Sequence, residues 1–352
     1  MHLSGPELLA DLTGPVEPSV AGRLVLVESP LPAGTDAVTL ARALERLAIL
    51  PCVIVSAHPS ELVDVVLGVA RGSGGDQPDA GEEDARQNEE ADRRSEEAAQ
   101  EADWHAEMAD IEATFEAAPI ASAALALHLR ATDRRPPLDG LVAESTLFSA
   151  LQAGPEHAGW RAGHQRRDRP DPGPPVTVER EGDRLTITLN RPHVRNAVSA
   201  ALRDRLLDAL AVAEAATEVE VHVHGAGPDF SAGGDLDEFG TTPDPATAHL
   251  IRTRRSVAAS LHRLAPRTTV HLHGAAFGAG IELAAFAGTV LAAPDSRVGL
   301  PELGLGLIPG AGGTVSLPLR IGRQRTAWLA LTRRTIDVTT ALRWGLVDEI
   351  TG

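Results

Sequence analysis

The sequence predicts an α/β protein with a regular layered domain from residue 176 onward and further α/β structure before it. Strand-like and helix-like segments alternate along the second half of the chain, which is typical of layered α/β folds. A shorter strand–helix–strand order occurs within residues 22–58. The chain has 352 residues, enough for two ordinary domains or for one larger domain with an appendage.

The first 103 residues divide by composition into a structured part and an acidic part. Apolar runs at Leu24–Val27 and Val53–Val55 predict strands on either side of a helix from Val38 to Ile49, so residues 1–71 read as a β-α-β region. Residues 72–103 hold twelve acidic side chains and three arginines and few apolar ones. Such a segment buries too little surface to fold, which predicts a disordered linker; docking to a partner is the alternative.

Helix-forming composition returns over residues 104–165. Amphipathic patterns predict one helix from Ile120 to Leu129 and another from Leu141 to Leu151, with a proline-containing turn between them. The prolines of residues 166–175 predict a stiff polar linker whose basic side chains are solvated.

The pattern from residue 176 to the first glycine-rich turn is strand, helix, strand, helix, strand. The predicted elements are a strand at Arg184–Leu189, a helix N-capped by Ser199 and reaching Ala216, a strand at Val219–His224, a helix from Pro245 to Leu264 and a strand at Thr269–His273. This order favours a layered sheet with helices packed on it.

Charge and cysteine content exclude several classes of protein. The net charge of −17 and the lack of a basic stripe with interleaved aromatic residues argue against nucleic-acid binding. Cys52, the only cysteine, lies in an apolar run and reads as a buried structural thiol rather than a nucleophile, in a reducing compartment. No apolar run reaches about 18 residues, so we expect a cytoplasmic protein without a membrane partner.

Two glycine-rich stretches, each with one glutamate, carry the chemical prediction. The first runs from Gly274 to Glu282, and the second from Gly299 through Glu302 to Thr314. Glycine lets backbone approach a ligand closely, and helix N-termini offer unpaired N–H groups to a developing negative charge. Two carboxylates beside such donors suit general acid–base work on an activated carbonyl compound. Taken alone, the glutamates could equally be a favourable first-turn helix residue and a loop carboxylate.

Five segments resemble the crotonase superfamily, the enoyl-CoA hydratase/isomerase family, over residues 176–352. They occur in the order of that family and are Asn190–Ala197, Gly225–Leu236, the two glutamate segments and Ala341–Glu349. The resemblance implies a crotonase-like ββα superhelix as the C-terminal domain.

The resemblance also implies a role for particular residues. The backbone N–H groups of Gly234 and Ala279 would form an oxyanion hole for an acyl-CoA thioester. Glu282 would activate a water for attack at the β-carbon, and Glu302 would deliver a proton to the α-carbon. Residues implied in binding CoA or substrate are His193, Val194, Arg195, Ala232, Asp235, Leu236 and Asp237. His193 and Arg195 are equally well explained as exposed loop residues.

Both glutamates together favour hydration of a 2-enoyl-CoA. The alternatives are double-bond isomerisation, oxygen-dependent cleavage of an aryl-acetyl-CoA, and a non-catalytic scaffold. The resemblance implies no cofactor beyond the coenzyme A of the substrate, and a homo-oligomer, either a trimer or a dimer of trimers. Family members usually continue beyond the segment ending at Gly352 with helices that cover the site, and we expect residues 105–165 to supply that cap in a permuted or duplicated architecture.

Two further groups of residues allow more than one reading. His222 and His224 share one strand face and His271 and His273 another, so a metal site is conceivable, although no carboxylate cluster accompanies them. Phe239 and Phe277 are better explained by core packing than by an acyl pocket.

Overall fold

The computed structural model describes residues 1–68, 103–132 and 135–352. The predicted acidic linker at residues 72–103 lies outside the described residues except for Asp103. The described elements combine sheets with packed helices, which confirms the α/β prediction.

The N-terminal region is a small parallel sheet with two helices. Its elements are β1 (His2–Leu3), α1 (Gly5–Thr13), β2 (Leu24–Val27), α2 (Ala37–Leu47), β3 (Val53–Ser56) and β4 (Val65–Val66). The strands lie in the order β1-β2-β3-β4, all parallel, around their own apolar core. Cys52 is fully buried in that core, as predicted for a structural thiol.

Four helices of the described residues lie between this region and the larger domain. They are α3 (residues 103–117), α4 (Pro119–Arg130), α5 (Pro137–Gln152) and α6 (Pro155–Gly163). Helices α4 and α5 match the two predicted amphipathic helices, and Glu156 of α6 accepts hydrogen bonds from the first N–H groups of α4, those of Ile120 and Ala121. Buried side chains of α4 and α5 belong to the same apolar core as the larger domain.

The larger domain contains a six-stranded sheet and a three-stranded sheet. Its strands are β5 (Val176–Glu181), β6 (Arg184–Leu189), β7 (Glu220–Gly225), β8 (Thr268–Leu272), β9 (Ala275–Phe277), β10 (Thr289–Ala292), β11 (Arg297–Gly299), β12 (Ile336–Asp337) and β13 (Glu349–Ile350). The first sheet has the order β13-β10-β8-β7-β6-β5, parallel except for the β5–β6 hairpin, and the second has the order β12-β11-β9.

Helices of the larger domain pack on these sheets. They are α7 (Ala200–Ala215), α8 (Pro245–Arg254), α9 (Val257–Leu264), α10 (Ala279–Ala284), α11 (Gly313–Ile321), α12 (Arg323–Thr332) and α13 (Val338–Trp344). The single helix predicted from Pro245 to Leu264 is wrong, because the chain breaks into α8 and α9. Arg255 leaves helical geometry at ψ 51°, and the Ser256 side chain accepts from the Ala259 N–H to cap α9.

The segment 166–175 is largely exposed, as predicted, but ion pairs also attach it to the larger domain. Arg169 forms an ion pair with Asp237, and Nε of Arg166 donates to the Asp237 carbonyl at 2.8 Å. Asp171 accepts from Nε of the buried Arg191 at 2.5 Å. Charge pairing therefore fixes a segment whose composition alone indicates a solvated connection.

A buried ion pair joins the N-terminal sheet to α4. Arg130 donates to both carboxylate oxygens of Asp64, at 2.8 and 2.5 Å, and also to the carbonyls of Leu47, Leu50 and Cys52. The side chains of Arg130 and Asp64 are only 6% and 2% exposed. A guanidinium so enclosed requires its carboxylate. Among the described residues, no helix is long and apolar enough to cross a membrane.

We expect Asp64→Ala to lower the free energy of unfolding by about 3–5 kcal/mol, because it leaves a buried cation without its counter-ion. The control is Asp208→Ala, which removes an exposed pair with Arg205 and should cost at most about 1 kcal/mol. Denaturant unfolding of both variants tests this, and equal losses would contradict it.

Candidate active site

A cavity of about 260 Å³ brings together the four residues on which the predicted chemistry depends. Gly234, Ala279, Glu282 and Glu302 all line it. Its other walls come from α5, α8 and the loop before α7, and include Phe148, Gln152, Val198, Ser199, Arg203, Phe239, Ile251 and Arg252. A second cavity of about 310 Å³ shares Val198, Arg203, Arg252, Gly310 and Ala311 with it and continues along α5.

Glu282 lies on the short helix α10 and is 1% exposed. Its Oε2 accepts hydrogen bonds from the N–H groups of Ala311 and Gly313, at 2.7 and 2.8 Å. A Cβ at Gly313 would lie 2.5 Å from Cγ of Glu282, so only glycine lets the loop come this close. The second glycine-rich stretch therefore holds the glutamate of the first.

Glu302 opens a 3₁₀ turn, Glu302–Leu305, opposite the start of α10. The residue is half-buried, yet its Oε2 is enclosed and has no hydrogen-bond partner among the described residues. Its Oε1 faces Gly278, where a Cβ would collide with it, and Gly278 has a φ of +48° that few other residues adopt. The carboxyl is thus available to a ligand or a water in the cavity.

Burial raises the pKa of both glutamates. Loss of solvent is the largest cause for Glu282, whose pKa is raised well above its usual value, followed by repulsion from the Glu302 and Glu144 carboxylates. Burial raises the pKa of Glu302 to about 8, and the Glu144 carboxylate adds to the rise. At neutral pH the Glu302 carboxyl therefore retains its proton.

Gly234 and Ala279, the residues of the predicted oxyanion hole, line the same cavity. Among the described residues, neither Gly234 N nor Ala279 N donates a hydrogen bond. The two backbone segments are adjacent, since a Cβ at Gly233 would lie 3.6 Å from Ala279 N. A pair of free donors beside two carboxyls can stabilise an oxyanion while protons move nearby.

Glu144, on α5, is a third buried carboxylate that the sequence did not identify as a site residue. Its oxygens accept from Gly312 N at 2.7 Å, Thr314 N at 2.9 Å and Thr314 Oγ1 at 2.7 Å. Burial raises its pKa to about 7. The only sequence signal is an acidic residue on a helix face that otherwise packs inward.

Arg252, on α8, is a cation next to this third carboxylate. Within the described residues its hydrogen bonds go to neutral oxygens of Ser145, Ser149 and Gln152. Its guanidinium lies 4.7 Å from the centre of the Phe148 ring, and burial lowers its pKa to about 10. It therefore remains charged at neutral pH.

The residues implied in binding CoA divide into two groups. Asp235 lines the cavity, although its carboxylate already accepts from Arg191 at 2.9 Å and from the Asp237 N–H. The others do not line either cavity and are His193, Val194, Arg195, Ala232, Leu236 and Asp237.

Several of these outer residues make contacts within the protein. Arg195 O accepts from Ala232 N, and its side chain is 71% exposed beside Asp229. A side-chain hydrogen bond from Arg169, together with donors from residues 164–167, lowers the pKa of Asp237 to about 2. Its contacts with segment 164–169 therefore occupy the Asp237 carboxylate.

The aromatic and histidine alternatives are also placed by the structure. Phe239 lines the cavity and packs edge-on against Phe148, whereas Phe277 does not line it. His222 Nδ1 and His271 Nε2 are 3.1 Å apart and hydrogen-bonded. Within the described ranges, no group of three or more histidine, cysteine or carboxylate side chains is arranged to hold a metal ion.

Comparison with known proteins assigns the chain to a family. The enoyl-CoA hydratase/isomerase sequence profile matches residues 179–352. The chain is 37% identical over 176 residues to the 2,3-dehydroadipyl-CoA hydratase of Escherichia coli, covering 50% of this chain and 68% of that protein. It is 34% identical over 184 residues to a probable enoyl-CoA hydratase of Mycobacterium tuberculosis, with the same coverage.

The protein belongs to the enoyl-CoA hydratase/isomerase family, within the crotonase superfamily. The crotonase-like fold predicted for its C-terminal domain is confirmed. A solved structure similar to it is the enoyl-CoA hydratase from Thermoplasma volcanium, at 34% identity and a TM-score of 0.47, covering 51% of this chain and 72% of that one.

The raised pKa of Glu302 predicts a pH-dependent stability. Since folding raises this pKa to about 8, the folded protein keeps a proton here that the unfolded chain has lost above its ordinary value of 4.5. The stability from this group is present below pH 4.5 and is lost as the pH rises through 8. We expect Glu302→Gln to gain at least about 1 kcal/mol relative to wild type between pH 5 and 8. Denaturant unfolding across that range tests this; a constant difference would contradict it.

Proposed function

We propose that this protein hydrates a 2-enoyl-CoA. The observation that carries the proposal is one cavity lined by two buried carboxyls and two unpaired backbone N–H groups. An acyl-CoA substrate rests on family membership, because crotonase-family enzymes act on acyl-CoA thioesters. The thioester oxygen would accept from Gly234 N and Ala279 N, which would stabilise the negative charge of the enolate.

The environments of the glutamates support different roles for them. Glu282 receives two backbone N–H donors, which offset part of the rise in its pKa caused by burial. In its ionised form it would take a proton from a water that attacks the β-carbon. Glu302 has a carboxyl oxygen without a donor and a pKa of about 8, so it would hold the proton that is delivered to the α-carbon. One proton moves onto Glu282 and one leaves Glu302, and exchange with solvent restores the pair.

Loss of the 2-enoyl-CoA absorbance, over a panel of acyl lengths, measures hydration directly. We expect Glu282→Gln and Glu302→Gln each to lower kcat/KM by about 10²–10⁴-fold, because each removes one proton-transfer group. Asp36→Asn is the control, since that carboxylate also accepts two backbone N–H groups, those of Val38 and Thr39, but lies at the start of α2 in the N-terminal region and outside the cavity lining.

Each competing function has its own outcome in this assay. Turnover of a 3-enoyl-CoA that survives Glu282→Gln but not Glu302→Gln would indicate an isomerase. Oxygen consumption with an aryl-acetyl-CoA would indicate the oxygenase chemistry. Wild-type protein that turns over no acyl-CoA would indicate the non-catalytic scaffold.

We also propose that helices α4–α6 act as the cap of this site. Phe148 of α5 packs against Gly310, and a Cβ at position 310 would clash with the Phe148 ring. His157 Nδ1 of α6 binds the Leu305 carbonyl at 2.9 Å, next to the turn that carries Glu302. These contacts support a role in excluding water from the cavity.

A chain starting at Val176 tests the cap. We expect it to be insoluble or to lose more than about 100-fold in kcat/KM, because the core residues facing α4 and α5 become exposed and the site opens to water. Size-exclusion chromatography and the hydration assay measure both. A soluble, fully active trimer would rule the cap out.

A further inference from the structure

Four consecutive N–H groups at the start of α11 are divided between two carboxylates. Glu282 accepts from Ala311 and Gly313, and Glu144 accepts from Gly312 and Thr314. We call residues 311–314 the donor strip. The first N–H groups of a helix have no hydrogen-bond acceptor within it, and the two carboxylates supply these acceptors. Because alternate N–H groups serve different glutamates, a rotation of the strip about its axis would break the hydrogen bonds to both of them.

Glu144 is itself anchored from the N-terminal side. Arg135 Nη1 lies 3.2 Å from His128 Nδ1, and His128 Nε2 lies 2.9 Å from Thr314 Oγ1. Since an arginine only donates, His128 Nδ1 accepts, so Nε2 carries the proton and donates to Thr314. The Thr314 hydroxyl then donates to Glu144 at 2.7 Å. Every hydrogen bond in this chain runs toward the Glu144 carboxylate.

The geometry points to Glu144 as a positioning residue for Glu282, acting through the donor strip rather than on substrate. By holding Gly312 and Thr314, it fixes the direction in which Ala311 and Gly313 present their N–H groups to Glu282. This role rests on the proposed function of the site. It also places one essential carboxylate outside the family-matched residues 179–352.

Charged groups from every packed element bear on this arrangement. Glu282 of α10 and Glu302 of the 3₁₀ turn are the neighbouring acids, Arg252 of α8 is the nearest cation, and His128 of α4 lies behind Thr314. Glu144 also lines the second cavity, whose other cations are Arg203, Arg255 and Arg263. Burial lowers the pKa of His128 to about 4, so that ring is neutral at pH 7. Glu144 repels negative charge on Glu302 without sharing a hydrogen bond with it.

Glu144→Gln tests the inference, because a glutamine offers one acceptor oxygen where the carboxylate offers two. Hydrogen exchange measured by mass spectrometry needs no turnover, and so it tests the strip even if the proposed reaction is wrong. We expect exchange of residues 311–314 to accelerate about tenfold, while strands β6–β8 keep their wild-type rates. The control, Asp36→Asn, removes a carboxylate that accepts from Val38 N and Thr39 N in the N-terminal region and should leave the strip unchanged.

The second readout is the pH profile of turnover. Removing the Glu144 charge should move the alkaline limb, set by the acid Glu302, to lower pH by about half a unit to one unit. The value of kcat should fall about 10–100-fold with KM within about threefold, since the strip holds a catalytic group rather than substrate.

Three results would overturn the inference. They are wild-type exchange in the strip, acceleration spread equally over β6–β8, and an unmoved alkaline limb with only a loss of thermal stability. Inactivity of the wild-type enzyme on every acyl-CoA would instead contradict the proposed reaction, and the exchange experiment would still decide the role of Glu144.

Discussion

The site depends on how the donor strip satisfies buried carboxylates. Removing a glutamate from water is expensive unless donors replace the lost hydration. Glu282 and Glu144 are both almost fully enclosed, and the four N–H groups of residues 311–314 are their backbone donors. The glycines of the strip are needed because a side chain at Gly313 would occupy the space of Glu282. One short loop therefore determines where two acids from distant parts of the sequence can lie.

Through its contacts with α4 and α5, the same loop joins the two halves of the chain at the site. Helix α5 brings Glu144 to the strip and Phe148 to Gly310, and α4 brings His128 to Thr314. Helix α4 is in turn fixed to the N-terminal sheet by the enclosed pair of Arg130 and Asp64. The N-terminal sheet thus contributes to the site indirectly, by fixing the helices that reach it.

The sequence predicted those parts of the fold and site that local patterns specify. Strands β2, β3 and β6 and the Ser199 cap follow from periodicity and capping, and the structure places them as expected. The pairing of Glu282 and Glu302 is implied by the family resemblance, and both line one cavity. The break at Arg255 is not predicted because no glycine or proline marks it and arginine is a good helix former. The fixed segment 166–175 was missed because its ion pairs lie with residues far along the chain.

Glu144 shows most clearly what local patterns cannot reveal. Its partners Gly312 and Thr314 are 168 and 170 residues away, so no spacing rule relates them. On a helix, an inward-facing glutamate reads as an unfavourable placement until its donors are known. The sequence around Glu144 resembles helices of the family, but the residues that Glu144 contacts are revealed only by the structure.

Charge in the site is balanced by protons rather than by ion pairs. Glu144, Glu282 and Glu302 have raised pKa values and lie near Arg252, whose hydrogen bonds within the described residues go to neutral oxygens. The cavity is also lined by Glu238, whose pKa burial raises, and by Arg203, which pairs with Asp204. Full ionisation of all three acids would leave a large negative charge beside the free N–H groups of Gly234 and Ala279. That charge would oppose any oxyanion forming there, by Coulomb repulsion strengthened in a dry cavity. A proton retained on Glu302 reduces this repulsion while Glu282 acts in its ionised form, so the burial that makes the carboxyls costly also allows an oxyanion hole to operate next to them.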